Sequence, residues 1–200
     1  MSRMTWVLII FAYLLGSIPS GIVIARLIGA EDPRKSGSGN IGATNVLRTL
    51  GKKAAAATLT ADVIKGVFPV LIARWLLPAG SPAIYFVAAA AILGHDFSFL
   101  LRFKGGKGVA TTLGTILVLS PTVALLLLGT WLSVITVTRY SSAGALSAAA
   151  LSPLLAIVIE GNIQFTLFCV AVAVLLFYLH RENIKRLMSG TESRIGKNKE

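Results

Sequence analysis

The chain has 200 residues, 55% hydrophobic and only 14% charged, and its mean hydropathy is +0.79. Soluble domains carry about 25% charged residues, so this composition excludes an ordinary soluble protein. The net charge of +11, from 19 Lys+Arg against 8 Asp+Glu, combined with that hydropathy excludes a nucleic-acid binder and points to an anionic leaflet or an anionic substrate.

Seven apolar segments of near-spanning length follow in chain order, at 4–28, 54–77, 82–101, 109–120, 122–138, 143–159 and 163–180. The expected fold class is therefore all-α, a polytopic membrane protein of about seven transmembrane helices. It is read as a single transmembrane domain over 1–200, with polar loops at 29–53, 102–108, 139–142 and 180–200. The first segment has Arg3 as its only early charge and no small-residue cleavage site, so it reads as a retained helix. Its Gly16-Ser17-Ile18-Pro19-Ser20-Gly21 interruption reads as a kink with close packing. The fourth segment is short for a span and is divided from the fifth by Ser120-Pro121, a turn that proline favours because it cannot continue a helix. Cys169 lies in an apolar run without CxxC or metal-ligand neighbours, which predicts an inert core or lipid-facing thiol.

Orientation follows from the basic residues. Arg26, Arg34, Lys35, Arg48, Lys52, Lys53, Arg102, Lys104, Lys107 and Arg139 fall on one set of connections. The tail adds Arg181, Lys185, Arg186, Arg194, Lys197 and Lys199, whereas the opposite side holds only Arg3 and Arg74. The expected topology has the N-terminus outside and the C-terminus cytoplasmic.

Three polar stretches at the ends of these segments carry chemistry suited to phosphate. In Gly37-Ser38-Gly39-Asn40-Ile41-Gly42-Ala43-Thr44-Asn45, the glycines permit positive φ, so that backbone N–H groups can converge on an anion. Ser38, Asn40, Thr44 and Asn45 add neutral donors, and Arg48 lies one helical turn beyond Asn45. The Gly37-x4-Gly42 spacing is similar to a nucleotide P-loop, but Ala43 stands where its lysine belongs, which disfavours nucleotides. Lys104-Gly105-Gly106-Lys107-Gly108 runs into a helix whose N-terminal dipole favours a phosphate. In His180-Arg181-Glu182-Asn183, His180 and Asn183 share a helical face at i, i+3, while Glu182 is expected to pair with Arg186 at i, i+4 in a structural role. A flexible loop, a basic anchor and an interfacial histidine are the bland counterparts of these three readings. Ser142 is a candidate phosphate contact, with a helix cap as the equal alternative. Inside the spans, Asp62 and Lys65 are three residues apart and are expected to form a mutual ion pair. His95-Asp96 is placed to orient the basic loop that follows it.

These same residues, together with Lys65-Gly66, Gly94-His95, Gly105-Gly106-Lys107-Gly108-Val109-Ala110-Thr111 and His180-Arg181-Glu182-Asn183-Ile184, resemble the bacterial acyl-phosphate-dependent glycerol-3-phosphate acyltransferases over nearly the whole chain. The resemblance implies transfer of a fatty acyl group from acyl phosphate to the 1-hydroxyl of glycerol 3-phosphate. The products would be lysophosphatidate and inorganic phosphate, in the first step of phospholipid synthesis. It implies catalytic roles for Ser38, Arg48, His180 and Asn183, and phosphate binding by Gly37, Gly39, Asn40, Gly42, Thr44, Asn45, Lys104, Gly105, Gly106, Lys107 and Gly108. Glu182 would be the motif's structural acid, and the enzyme a multi-pass protein of the bacterial inner membrane with its site facing the cytoplasm. No cofactor or metal is expected, and a monomer is. The HxxxxD signature of other glycerolipid acyltransferases is missing, since Leu100 and Lys185 stand five residues after the two histidines. The competing reading is a small transporter or channel for phosphate-bearing anions. The odd segment count, the lack of a repeat and the confinement of polar motifs to one side argue against it.

Overall fold

The computed structural model describes residues 1–196 and is helical, with no strand among the described residues. Lys197 and Lys199, counted above in the basic tail, lie outside the described residues. The chain divides into two compact units, Met1–Leu119 and Ser120–Glu200.

The first unit contains α1 (Arg3–Gly16), α2 (Ser20–Leu27), α3 (Ala43–Leu50), α4 (Lys52–Leu76), α5 (Ala83–Asp96) and α6 (Val109–Leu119), with 3-10 turns at Pro33–Lys35 and Phe99–Leu101. The first apolar segment breaks where expected: α1 and α2 meet at 47° across Ser17-Ile18-Pro19, where the missing proline N–H interrupts the helical ladder. The Ser17 carbonyl at the break finds a partner, accepting from Ser98 Oγ at 2.6 Å, while Ser17 Oγ donates back to Tyr13 O at 2.8 Å. Close packing here has a steric cause. A side chain on Gly16 would strike the Ala91 carbonyl, and one on Gly94 the Tyr13 carbonyl, so α1 and α5 cross backbone to backbone. Gly66 and Gly114 do the same for α4 and α6, whose contact is fastened at its far end by Arg74 Nη1 donating to Val118 O at 2.7 Å.

The second unit contains α7 (Pro121–Thr138), α8 (Ser141–Leu155) continued by a π-helical turn Ala156–Glu160, α9 (Ile163–Leu179) and α10 (Arg181–Met188). Ser120 caps α7, accepting from Val123 N at 3.2 Å and donating to the Glu160 carboxylate, and Pro121 occupies the first helical position, where its missing N–H does no harm. Asn162 caps α9, accepting from Phe165 N at 3.0 Å. Cys169 is buried within this unit, so of the two places foreseen for it the core is the one it takes.

Four helical stretches are long and apolar enough to cross a membrane: Lys52–Leu76, Ala83–Leu101, Pro121–Thr138 and Ser141–Glu160. The pairs Arg3–Gly16 with Ser20–Leu27, and Ile163–Leu179 with Arg181–Met188 at 61°, bring the number to six if each bent pair is one span. Val109–Leu119 is the shorter apolar helix. Its 11 residues reach about 16 Å against a hydrocarbon core of about 30 Å. Exposed Trp75, Phe86, Leu125 and Val174 give the helices the apolar exterior that lipid requires.

Candidate active site

The loop before α3 is built by its own asparagines. Asn45 is buried, its Nδ2 donates to Pro33 O at 2.7 Å and Asn40 O at 2.8 Å, and its Oδ1 accepts from Ser38 N at 2.7 Å. Asn40 Oδ1 in turn accepts from Gly42 N at 2.8 Å. Gly37 and Gly39 have φ of 63° and 69°, whereas Gly42 has φ −74° in an extended N-cap. Two of the three glycines therefore use the left-handed region, and Gly42 does not. A side chain on Gly37 would run into Asn45 Oδ1, so that glycine is fixed by the pin as well as by its φ. Asn45, expected as a phosphate donor, spends its side chain on these bonds within the loop, and Asn40 uses its Oδ1 in the same way. They leave Ser38 exposed on a fixed backbone. Thr44 and Arg48 project from α3, one turn apart, as the spacing required. Ahead of the loop, Arg34 grips Asp32 (Nη2–Oδ2 2.6 Å), which holds that carboxyl below the usual carboxylate range and pushes the guanidinium higher still.

The second loop rests on His95-Asp96. Gly106 N donates to His95 O and Gly105 N to Asp96 O, both at 3.0 Å. Side chains at Gly105, Gly106 and Gly108 would strike, respectively, the His95 carbonyl, the His95 imidazole and the Asp96 carboxylate. The three glycines are thus demanded by contact with one dipeptide, and the orienting role expected of His95-Asp96 is realised through backbone and side chains together. Gly108 O accepts the first helical bond from Thr112 N at 2.7 Å, and the buried Asp96 carboxylate lies against Gly108. Lys107 and exposed Lys104 flank this clamp.

Beneath it runs a buried ionic chain. Lys65 Nζ lies 2.8 Å from Asp62 Oδ1, the expected pair, and also donates to Ile18 O at 2.8 Å, while His95 Nδ1 approaches Asp62 Oδ1 at 3.5 Å. All three side chains are within 5% of full burial. The α1–α2 kink, α4 and the glycine loop are thereby tied together by charge.

In the second unit His180 sits at the junction of α9 and α10, buried, with Nδ1 2.8 Å from Leu176 O. A carbonyl only accepts, so Nδ1 carries a proton in this contact. Asn183 Nδ2 donates to Glu192 Oε1 at 2.7 Å, Ser142 Oγ donates to the same oxygen at 2.7 Å, and Arg186 Nε donates to Glu192 Oε2 at 2.7 Å. Burial raises the Glu192 pKa, but these three hydrogen bonds and the Arg186 charge outweigh it and hold the carboxyl below its ordinary value. Two expectations are corrected here. Arg186 pairs with Glu192 rather than Glu182, whose exposed carboxylate meets Lys185 at 3.2 Å. Ser142 lies inside the first turn of α8 rather than at its cap, and its hydroxyl donates to this carboxylate. Glu192 is the acid that sequence reasoning missed. Its only signal was an isolated acid in a basic tail.

Comparison with known proteins places this geometry. The family model for glycerol-3-phosphate acyltransferase matches residues 6–190, a stretch that takes in all three polar motifs. The chain belongs to the glycerol-3-phosphate acyltransferase family. A relative named glycerol-3-phosphate acyltransferase from Bordetella pertussis is 50% identical over 96% of this chain and 92% of its own length. Another from Syntrophotalea carbinolica is 46% identical over 94% and 96%. The fold matches the crystal structure of PlsY (YgiH), an integral membrane glycerol 3-phosphate acyltransferase, in its glycerol 3-phosphate form. The TM-score is 0.92 at 42% identity, covering 96% of each chain. The lysophosphatidic acid form of that protein matches at TM-score 0.90 and 41% identity. This glycerol-3-phosphate acyltransferase family member is accordingly an integral membrane protein. The Gly37–Asn45 and Gly105–Gly108 loops are the candidate functional elements of the first unit, and the His180–Asn183 pair with Glu192 those of the second.

Proposed function

We propose that the protein transfers a fatty acyl group from acyl phosphate to the 1-hydroxyl of glycerol 3-phosphate, releasing lysophosphatidate and inorganic phosphate. Family membership supports the acceptor and product, as does the likeness to a protein crystallised in glycerol 3-phosphate and lysophosphatidic acid forms. The observation that carries the reading is the Gly105–Gly108 loop clamped on His95-Asp96. Its Gly105 and Gly106 lie between Lys104 and Lys107 and rest on that dipeptide, a fixed basic backbone suited to holding a phosphate in place. The donor is a mixed anhydride and already activated, so fixed positioning and charge neutralisation suffice in place of a strong protein nucleophile.

In the proposed reaction the 1-hydroxyl oxygen attacks the acyl carbonyl carbon, the carbon–oxygen bond to phosphate breaks, and phosphate leaves with the bonding pair. Ser38, Thr44 and Arg48, with the Gly37–Gly42 backbone, and Lys107 with its glycines and Lys104 are assigned to the two phosphates. His180 and Asn183 are assigned to the acyl-transfer step. The hydroxyl proton goes to His180 Nε2 or to the departing phosphate. An activity of His180→Gln close to that of the parent, with an unchanged pH profile, assigns it to the phosphate. The seven-segment topology with an outside N-terminus and a cytoplasmic site in the inner membrane belongs to the same reading. It rests on the distribution of basic residues.

Detergent-purified protein incubated with acyl phosphate and labelled glycerol 3-phosphate is expected to form labelled lysophosphatidate, and acyl-CoA is expected to fail as donor. Product from acyl-CoA alone overturns the donor assignment. A covalent acyl-protein trapped in a single turnover overturns direct transfer.

A further inference from the structure

A cavity of about 470 Å³ opens in the first unit between Pro19, Ile22, Val23 and Arg26 of the first bent pair, Arg34, and Leu100, Leu101 and Arg102 at the 3-10 turn after α5. None of these is assigned to the reaction above. We propose that this groove binds the headgroup of an anionic phospholipid, a site separate from the phosphate-holding loops.

The charges favour such an occupant. Arg34 is committed to Asp32 through three side-chain contacts of 2.6–3.1 Å, which neutralises that pair. Arg26 and Arg102 are exposed, and neither side chain has a hydrogen-bond or ion-pair partner among the described residues. The groove therefore offers two guanidiniums without a close ion pair, Arg26 acting on Asp32 only at longer range, in a fork geometry that suits phosphate oxygens. Its walls are apolar, and exposed Leu27, Ile28, Leu100 and Phe103 continue that surface outward.

Placement selects a lipid rather than a soluble anion. Arg26 stands in the last turn of the first bent pair, and Arg102 directly follows the Ala83–Leu101 span. Both charges thus lie where two apolar spans end, the level at which headgroup phosphates sit against hydrocarbon. Arg102 is also held there at a cost. It and Phe103 have φ of 53° and 61°, values that bulky residues avoid, and Phe103 N donating to Ser98 O at 2.8 Å and Lys104 N to Leu101 O at 3.1 Å lock the turn. The outcome is a guanidinium beside an exposed phenylalanine, a pairing suited to an interface that is charged on one side and oily on the other.

The test is independent of the enzymatic reading, because it measures binding by thermal unfolding in neutral detergent. Phosphatidylglycerol is expected to raise the melting temperature, and phosphatidylcholine is not. Arg26→Gln with Arg102→Gln should abolish the difference between the two lipids. Arg26→Lys with Arg102→Lys should retain part of it, and Lys52→Gln with Lys53→Gln, which removes equal charge outside the groove, should leave it intact. Equal stabilisation by both lipids, persistence in the Arg→Gln pair, or equal loss in the Lys→Gln pair overturns the proposal. Inorganic phosphate or glycerol 3-phosphate producing the same arginine-dependent shift overturns the lipid in favour of a soluble ligand. Should a glutamine pair fail to fold, each single substitution is expected to reduce the lipid difference, and no reduction in either is equally fatal.

Discussion

Single atoms decide how the phosphate loops work. Gly106→Ala places a methyl group inside the His95 imidazole, so the loop must lift from its support. We expect kcat/KM for glycerol 3-phosphate to fall at least about tenfold, equivalent to ~1.4 kcal/mol, in steady-state assays. Gly129 differs, since nothing lies within 4 Å of a side chain there and it sits inside α7. Gly129→Ala should leave activity unchanged and stabilise by about 0.5–1 kcal/mol, read as a raised melting temperature. The buried Asp62–Lys65 pair supplies a third case. Asp62→Asn strands a buried ammonium and should destabilise by roughly 3–5 kcal/mol, whereas Asp62→Asn with Lys65→Met removes both charges and should recover much of that loss. Thermal unfolding of the two variants compares them directly.

Elements are joined by a few buried polar residues. The tail after α10 is anchored by Glu192, which gathers Ser142 of α8 with Asn183 and Arg186 of α10. Because its folded-state pKa is depressed, the stabilisation is complete above the ordinary glutamate value of about 4.3 and is lost as pH falls through the folded value. We predict that acidification below that range loosens the tail, seen as faster proteolysis at Arg194, and that Glu192→Gln removes this pH dependence. Element existence was legible from hydropathy. The seven apolar segments correspond to α1–α2, α4, α5, α6, α7, α8 with its π turn, and α9 within a few residues. The short amphipathic helices α3 and α10 fall within stretches bounded as loops, where helical spacing still relates Asn45 to Arg48 and His180 to Asn183; each is only 8 residues and polar, too short for a hydropathy pattern to declare itself.

At the scale of the molecule, the bilayer acts as solvent. Apolar side chains face outward, while buried polar groups tie helices together. Exposed Trp75 and Val137 are ordinary in lipid, whereas Asp62, Lys65, His95 and Asp96 stay inside. For this reason the cytoplasmic ends of the spans, not a soluble domain, hold the chemistry in the proposed reading. Activity with glycerol 3-phosphate should survive purification in detergent and disappear in Lys107→Ala, measured as labelled lysophosphatidate.

Sequence alone determined the membrane class, the order of the apolar segments, the polar motifs and their resemblance to the acyltransferase family, because hydropathy and residue spacing are local properties. It also paired Asp62 with Lys65, one helical turn apart. Only the tertiary structure decided what each polar atom faces. Asn45 became the pin of its own loop, and Glu192 rather than Glu182 became the buried acid. Those assignments depend on which helices lie against one another at distances of a hydrogen bond, and no spacing along the chain encodes that.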